Sequence, residues 1–231
     1  MRDLNESFAK EFYSLYLNDE IDFKSSFEKN FGVNYKLLFG NMSIEAALFQ
    51  TLSRYYRNEF FVKQNFIKKN PLSLQSLYGE EINVENSRCD LACFCNHSYV
   101  FEIKTKYDNL RRLKKQIESY SKVFEYVYII CSEDKIYDVF KDVPEWCGIF
   151  SYKDRSNCSF HLVRRASLSE LRDITSMLNC MTLKERHRFI GEDDINTIVN
   201  EKDLKGISNS FNSALNCRIS LKKSLQNTGQ C

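Results

Sequence analysis

Two short apolar runs separated by a polar turn stand out in the middle of the chain. Residues 88–94 (Arg-Cys-Asp-Leu-Ala-Cys-Phe) and 99–105 (Tyr-Val-Phe-Glu-Ile-Lys-Thr) are rich in strand-forming residues. The segment between them, residues 95–98, contains asparagine and serine, which favour turns. This pattern predicts a β-hairpin.

The alternation of side chains along the second strand brings an acid and an amine to one face. A period of two places Glu102 and Lys104 on the same side. Asp90 shares that side only if the connection near residues 95–98 has an odd length or a bulge. A two-residue turn would instead place Asp90 opposite Ile103.

An amphipathic helix follows the hairpin. Asp108 is positioned to cap it, and Gln116 borders its buried stripe on the side nearest Tyr120. The stripe consists of apolar residues at steps of three and four, namely Leu110, Leu113, Ile117, Tyr120 and Phe124. Residues 126–131 (Tyr-Val-Tyr-Ile-Ile-Cys) then predict a fully buried strand. A strand, a helix and a buried strand in this order predict a parallel crossover, and with the hairpin beside it a mixed sheet.

The flanking segments are predominantly helical in pattern. Residues 1–40 predict two or three short helices with breaks near Asn18 and Gly32, and Ser43 opens a further helix with Glu45 in its first turn. Residues 60–67 predict the first strand. Past the buried strand, the pattern predicts a helix at 134–142, strands at 147–152 and 159–164, a helix opened by Ser167 and ending near 179, helical stretches at 182–190 and 192–216, and a frayed tail at 222–231.

These elements predict an α/β fold with a central mixed β-sheet flanked by helices and with helical extensions at both ends. Residues 1–180 are expected to form one domain with its core at about 43–152, and residues 181–231 a C-terminal helical appendage. No low-complexity linker separates the two parts.

Composition excludes several classes of protein. The chain has 231 residues, of which 43% are hydrophobic and 28% are charged, as in an ordinary globular protein. No long apolar segment is present, so we expect no membrane association and a cytoplasmic location. Nine cysteines scattered singly fit a reducing compartment better than a disulfide framework. A Gly-rich phosphate loop is also missing.

Charge alone does not identify a partner. The formal net charge of +2 is too small to predict nucleic-acid binding. A local basic stretch between residues 104 and 122 is a candidate contact for phosphate, although a solvated helix face explains it equally well. The arginines that we expect to contact nucleic acid are Arg88, Arg111 and Arg112.

The residues that converge at the hairpin and the helix suit phosphodiester hydrolysis. A phosphodiester is an anion that repels nucleophiles, so its hydrolysis at neutral pH needs a hard divalent cation. Carboxylates from Asp90 and Glu102, with the Ile103 carbonyl beside them, favour Mg²⁺ or Mn²⁺ over zinc. Lys104 would orient the attacking water or stabilise the transition state. Gln116 and Tyr120 would hold the phosphate or order the metal ligands.

This spacing resembles the PD-(D/E)XK nuclease superfamily. Asp90, the Glu102-Ile-Lys104 motif and the Gln116-x-x-x-Tyr120 element are similar in particular to its RecB-type branch, and the fuller string resembles small standalone bacterial nuclease-like proteins. The resemblance covers residues 43–152 and implies a restriction-endonuclease-like core. It also implies that Asp90 and Glu102 bind metal, that Lys104 is the catalytic lysine, and that Gln116 and Tyr120 are the branch-specific pair.

The same resemblance nominates Glu45 as a further metal ligand, because the superfamily often carries an acidic residue or a histidine on the helix before the sheet. Two positions depart from the family pattern. Cys89 stands where proline often precedes the aspartate, and no histidine precedes the sheet. The expected function is therefore a Mg²⁺-dependent nuclease, with DNA as the favoured substrate and the number of metals open.

Other interpretations remain at this stage. Opposite charges on a strand commonly form a surface ion pair only, and the protein would then be a binding module for nucleic acid or a protein without turnover. A defence or toxin nuclease switched on by a partner through the C-terminal helices is a third possibility, and a homodimer is also compatible. Cys93, Cys95 and His97 are a weaker candidate for zinc, because no second ligand pair follows.

Overall fold

The computed structural model describes residues 4–18, 22–155 and 158–228, with side chains to residue 225. Its contacts divide the chain into two compact units. The first comprises Met1–Asn65 with Asp154–Cys158, and the second comprises Phe66–Lys153 with Ser159–Cys231. As the sequence predicts, the protein is a mixed α/β protein with a six-stranded mixed sheet flanked by helices.

The first unit is helical. Its helices begin where asparagine, aspartate or serine side chains accept a backbone N–H of the first turn, which is the usual capping chemistry. Seven aromatic rings from the first three helices pack with centroids 4.5–6.4 Å apart and form the core of this part. The predicted breaks at Asn18 and Gly32 are confirmed. The helices are α1 (Glu6–Leu17), α2 (Phe23–Phe31), α3 (Tyr35–Phe39), α4 (Ile44–Tyr55) and α5 (Glu59–Lys69), the last of which continues into the second unit.

The strand predicted at residues 60–67 is wrong, because this segment lies within α5. Asn58 accepts the backbone N–H of Phe61 at 3.1 Å and so starts the helix in the manner of a cap. Phe61, Val62 and Phe66 are buried. Phe66 follows Val62 by four residues and Phe61 by five, so the three side chains lie on one side of a helix. A run of eight residues with only three polar positions fits either period, and here the helix is adopted.

The second unit is built on the sheet, whose strands follow one another in chain order. The first strand, β1, follows α5 and was not anticipated from the sequence. The strands are β1 (Tyr78–Val84), β2 (Ser87–Phe94), β3 (Ser98–Lys104), β4 (Tyr126–Ser132), β5 (Gly148–Tyr152) and β6 (Phe160–Arg164). The pairs β3/β4 and β4/β5 are parallel, and the other three pairs are antiparallel.

The connection between β2 and β3 has the odd length that the sequence requires. β2 ends at Phe94 and β3 begins at Ser98, so three residues form the turn. Leu91 pairs with Phe101. In an antiparallel pair of strands this register places the preceding residue, Asp90, opposite Glu102. The prediction that both carboxylates share one face of the sheet is therefore confirmed.

Two helices make the parallel crossovers, α6 (Leu113–Ser121) before β4 and α7 (Ile136–Asp142) before β5. The predicted stripe of α6 is confirmed, since Leu113, Ile117 and Tyr120 are buried. Asp108 does not cap this helix, contrary to the prediction. Its carboxylate instead accepts the backbone N–H and the hydroxyl of Thr105, both at 2.7 Å, and holds the turn that leaves β3.

Four helices follow β6, namely α8 (Ile174–Asn179), α9 (Leu183–Ile190), α10 (Ile195–Glu201) and α11 (Leu204–Thr228). The helix predicted to begin at Ser167 begins instead after Asp173, whose side chain accepts the N–H of Ser176. The single stretch predicted at 192–216 is two helices, and α11 continues through part of the tail predicted to fray. The predicted domain boundary at residue 180 does not coincide with the division into units, because α9 to α11 belong to the same unit as the sheet.

The described part of the chain contains no helix with the length and apolar character needed to cross a bilayer. No disulfide joins the described cysteines.

A buried carboxylate ties the C-terminal helices to the sheet. Glu125, immediately before β4, accepts the backbone N–H of Ser98 at 2.8 Å and lies 3.0 Å from His97 Nδ1. Arg172 and Asn212 approach the same carboxylate at 3.5 and 3.3 Å. Burial raises the pKa of Glu125, but the hydrogen bonds from His97, Ser98 and Asn212 outweigh burial and hold the pKa below its usual range.

The Glu125 network predicts a pH-dependent stability. A carboxyl with a lowered folded-state pKa contributes stability above its unfolded value, about 4.3, and this contribution is lost as the pH falls through the folded value. We expect Glu125→Gln to lower the free energy of unfolding by about 1–3 kcal/mol at pH 7 and by much less near pH 3. Urea denaturation at both pH values measures this difference. The exposed Glu170→Gln is the matched control, and an equal deficit at both pH values would contradict the expectation.

Candidate active site

The candidate site lies at one edge of the sheet, where β3 and β4 both end. β2 runs antiparallel to β3, so the beginning of β2 stands beside the end of β3. This arrangement brings Asp90 near the last residues of β3, which are Glu102, Ile103 and Lys104. Because α6 returns over this region to reach β4, its Gln116 and Tyr120 meet the same group. The five predicted side chains are thus brought together by two strands and one helix.

Glu102 is the centre of the arrangement and is 2% exposed. One carboxylate oxygen, Oε1, accepts hydrogen bonds from Lys104 Nζ and Gln116 Nε2, both at 2.6 Å. The other, Oε2, accepts the Tyr120 hydroxyl at 2.8 Å. Lys104 Nζ also donates to Gln116 Oε1 at 3.1 Å. Each oxygen of this buried carboxylate is therefore held in place by a side chain that the sequence had nominated.

Asp90 is buried as well, with 8% of its surface exposed. Its Oδ2 accepts the backbone N–H of Ile103 at 2.6 Å, which fixes the carboxylate against β3. Ile103 contributes this N–H to the site. The assignment of its carbonyl as a metal ligand stays a prediction.

Tyr120 is fully buried and links the site to the first hairpin. Its hydroxyl donates to Glu102 and also lies 3.0 Å from the backbone carbonyl of Arg88. Burial and the neighbouring Glu102 charge raise the pKa of Tyr120 well above its usual range. The phenol therefore remains protonated and remains a hydrogen-bond donor to Glu102 at every physiological pH.

Glu81 is a neighbour that sequence reasoning missed. The register of β1 and β2 places it opposite Asp90, although these two residues are not themselves paired. The backbone φ of Glu81 is 56°, a value that non-glycine residues seldom adopt. A carboxylate oxygen of Glu81 lies within 4.8 Å of one of Asp90. The sequence contains one signal for this contact, the two-residue turn Glu85-Asn86. Once β1 is recognised as a strand, a turn of this length sets the pairing that places Glu81 opposite Asp90.

The other four predicted side chains are exposed. Arg88 is exposed and forms an ion pair with Glu81 at 2.8 Å. Arg111 and Arg112 are exposed at the entrance of α6. Glu45 occupies the first turn of α4, as predicted, but belongs to the N-terminal unit, so its assignment as a metal ligand stays a prediction.

The zinc alternative gains no support from the turn between β2 and β3. His97 Nδ1 lies 3.0 Å from Glu125, and Cys93 is buried in the sheet. Within the described residues, Cys93, Cys95 and His97 do not bring three ligand atoms close enough to share one ion.

Fold and site together define an α/β protein with a buried cluster of two carboxylates, a lysine, an amide and a phenol at the edge of a mixed sheet. Residues 53–228 match the family described as Bacteriophage P4 protein cII, and the chain belongs to this family. It is 27% identical to Protein cII of Enterobacteria phage P4 over 138 residues, which are 52% of this chain and 52% of that protein. The chain thus spans about half the length of the curated relative that it matches. No solved structure is significantly similar.

Proposed function

We propose that this protein is a metal-dependent nuclease of the PD-(D/E)XK type that hydrolyses phosphodiester bonds, with DNA as the favoured substrate and the cytoplasm as its setting. The observation that carries the proposal is the convergence of Asp90, Glu102 and Lys104 at one edge of the sheet, with Gln116 and Tyr120 bonded to Glu102. Three side chains, from β3 and α6, bond to the Glu102 carboxylate, while Asp90 on β2 accepts the N–H of the next residue, Ile103, and the five residues follow one another in the order that the superfamily uses.

The donor set suits a hard divalent cation. Asp90 and Glu102 offer only oxygen atoms, which Mg²⁺ and Mn²⁺ prefer. When bound, such an ion supplies charge neutralisation of the phosphate and activation of water. Glu81 lies close enough to Asp90 to be a further ligand, and Ile103 and Glu45 are the remaining candidates.

The protein's own residues supply position and charge. Tyr120 and Gln116 hold the Glu102 carboxylate in one orientation, so the site is preorganised. Lys104 carries a fixed positive charge beside the carboxylates, where it would stabilise the negative charge that develops on a phosphate during hydrolysis. Asp90 is oriented by the hydrogen bond that its carboxylate accepts from the Ile103 N–H.

A binding module without turnover is the second candidate, and one observation favours it. Lys104 forms a close ion pair with Glu102, as it would in a purely structural site. The same contact is expected of a nuclease without its metal, however, because a buried carboxylate needs a counter-charge. A divalent cation and Lys104 would then share the role of balancing Glu102.

Cleavage of labelled single-stranded DNA, duplex DNA and RNA with the purified protein in Mg²⁺ or Mn²⁺ tests the proposal. We expect metal-dependent cleavage that EDTA abolishes. Asp90→Asn preserves an acceptor for the Ile103 N–H but removes the charge, so it should lower cleavage at least about 100-fold, the upper range for residues that only support metal ligands.

Asp108→Asn is the matched control, since Asp108 also accepts a backbone N–H beside the same edge but lies outside the constellation. It should cleave like the parent protein. Isothermal calorimetry with Mn²⁺ separates the two candidates: no cleavage together with no Asp90-dependent metal binding would favour the module without turnover.

A further inference from the structure

A second feature of the same sheet edge is a basic cleft of about 500 Å³ between the segment before α6 and the helix α7. Its charged lining consists of four cations and two carboxylates, namely Arg111, Lys114, Lys135, Lys141, Asp138 and Asp142. The cleft therefore carries an excess of positive charge in a protein whose net charge is only +2. An anion is the complementary ligand.

The topology places this cleft beside the candidate active site. Lys104, the last residue of β3, pairs with Cys131 of the parallel strand β4. Both strands therefore end at the same edge, and the chain leaves each of them there, through residues 105–112 and through the turn Glu133–Lys135. These two exits form the walls that carry Arg111 and Lys135. Ligands of parallel sheets commonly bind beyond the carboxyl ends of the strands.

The cations in the cleft are available to a phosphate. Arg111, Lys114 and Lys141 are exposed. Lys114 is paired with Asp142 at 3.1 Å, but its side chain is 68% exposed. Exposed pairs of this kind contribute about 0–1 kcal/mol, so a nucleic-acid phosphate can replace the carboxylate at little cost.

Two exposed aromatic rings lie on the same chain segments as the cleft's cations, just outside its lining. Tyr137 on α7 is 70% exposed, and Lys141 Nζ lies 4.0 Å from the centre of its ring. Tyr107, on the other wall, is 40% exposed with Lys106 Nζ 5.0 Å from its ring centre. Lysines interleaved with accessible aromatic faces are typical of sites for single strands, because unpaired bases stack on the rings while the cations follow the backbone. A duplex hides these base faces.

We propose that this cleft binds single-stranded nucleic acid, with phosphates at Arg111, Lys114, Lys135 and Lys141 and a base stacked on Tyr137. Cleavage of the bound strand rests on the proposed function, whereas binding in the cleft does not. The cleft indicates single-stranded nucleic acid as the substrate class. The residues around Glu102 do not distinguish single strands from duplexes.

Fluorescence anisotropy in EDTA measures binding without cleavage. The probes are labelled oligothymidylate of about 20 nucleotides, which exceeds the roughly 4–16 nucleotides that single-strand sites cover, oligouridylate of equal length, and a duplex. We expect at least one single strand to bind more tightly than the duplex. Comparison of the thymidylate and uridylate probes tells DNA from RNA.

The informative variants replace side chains that are exposed (Tyr137 and Lys141) or half-buried (Lys135), so they should fold. Lys135→Ala/Lys141→Ala should weaken single-strand binding and reduce the slope of log affinity against log salt by about 1.4, since each phosphate contact contributes about 0.7. Tyr137→Ala should weaken it about 5- to 150-fold, as expected for one lost base stack, and Tyr137→Phe should restore it. Lys184→Ala/Lys205→Ala removes the same charge from exposed positions on α9 and α11 and should bind like the parent.

Two results would overturn the inference: a Lys135/Lys141 variant indistinguishable from the Lys184/Lys205 control, or duplex binding that is as tight and as sensitive to Tyr137→Ala as single-strand binding. The proposed function fails by a different readout, because it requires metal-dependent cleavage that Asp90→Asn removes. Binding in the cleft with neither cleavage nor Asp90-dependent metal binding would therefore support the inference while refuting the nuclease.

Discussion

A Lys104→Met protein is expected to lose about 3–5 kcal/mol of its free energy of unfolding, together with about 10²- to 10³-fold in cleavage rate. The side chain of Lys104 is the only cation that the described contacts place on Glu102, at 2.6 Å. Methionine fills the same volume but leaves a buried carboxylate with only Tyr120 and Gln116 as partners. Urea denaturation measures the loss in stability.

A second substitution separates stability from catalysis. Lys104→Met/Glu102→Gln removes both charges, and the new amide can still accept the Tyr120 hydroxyl and donate to Gln116. Neutral replacements of buried ion pairs are often close to neutral for stability, so most of the lost stability should be recovered while cleavage stays at least as low as in Lys104→Met. Lys115→Met, on the exposed side of α6, is the control. A double variant as unstable as Lys104→Met would show that the ion pair is not the source of the cost.

A Phe211→Ala protein is expected to be destabilised by about 3–5 kcal/mol, as for any large ring removed from a core. Phe211 lies on α11 and is 1% exposed. Its ring centre is 5.6 Å from that of Phe94 on β2 and 6.4 Å from that of Phe124 beside β4. If the C-terminal helices are part of the sheet's own core, the whole unit should respond to the cavity.

The single tryptophan makes this distinction measurable. Trp146 precedes β5 and packs against the core of the sheet unit, so its fluorescence reports on the sheet, whereas circular dichroism at helical wavelengths reports on all helices. Both urea transitions should shift together in Phe211→Ala. Leu225→Ala, on the same helix at a site that is 71% exposed, should shift neither. A change confined to the helical signal would instead indicate a separable appendage.

The central part of the fold could be predicted from the sequence because its signals are local. The alternation through Glu102 and Lys104, the stripe that includes Ile117, and the apolar run of β4 each fix one element. Their order then fixes the crossover. The odd-length turn followed from the requirement that Asp90 share a face with Glu102, and the register agrees.

The failures occurred where one local signal fits two structures. Residues 60–67 fit both the helical and the strand period, and α5 forms there. Asp108 and Ser167 are typical capping residues, but Asp108 holds Thr105 and the backbone N–H of Ser167 donates to Trp146. Aspartate and serine stabilise turns as readily as they cap helices. Their position along the chain therefore does not show which of the two structures forms.

The remaining features depend on contacts distant in sequence. Glu81 comes near Asp90 only because β1 pairs with β2, and β1 has no marked periodicity. The basic cleft requires α7 to approach the segment before α6, so Lys135 and Lys141 could not be grouped with Arg111 in advance. Likewise, the packing of Phe211 against Phe94 joins residues more than a hundred positions apart.

The turn at residues 95–97 determines which changes of chain length the protein can accept. Deleting or inserting one residue there would rotate one strand of the hairpin by half a period, and Asp90 and Glu102 would then face opposite sides of the sheet. Inserting two residues would preserve the parity. We therefore expect natural variation at this turn to be constrained in length more than in amino-acid type, so that relatives that keep both carboxylates differ here by even numbers of residues.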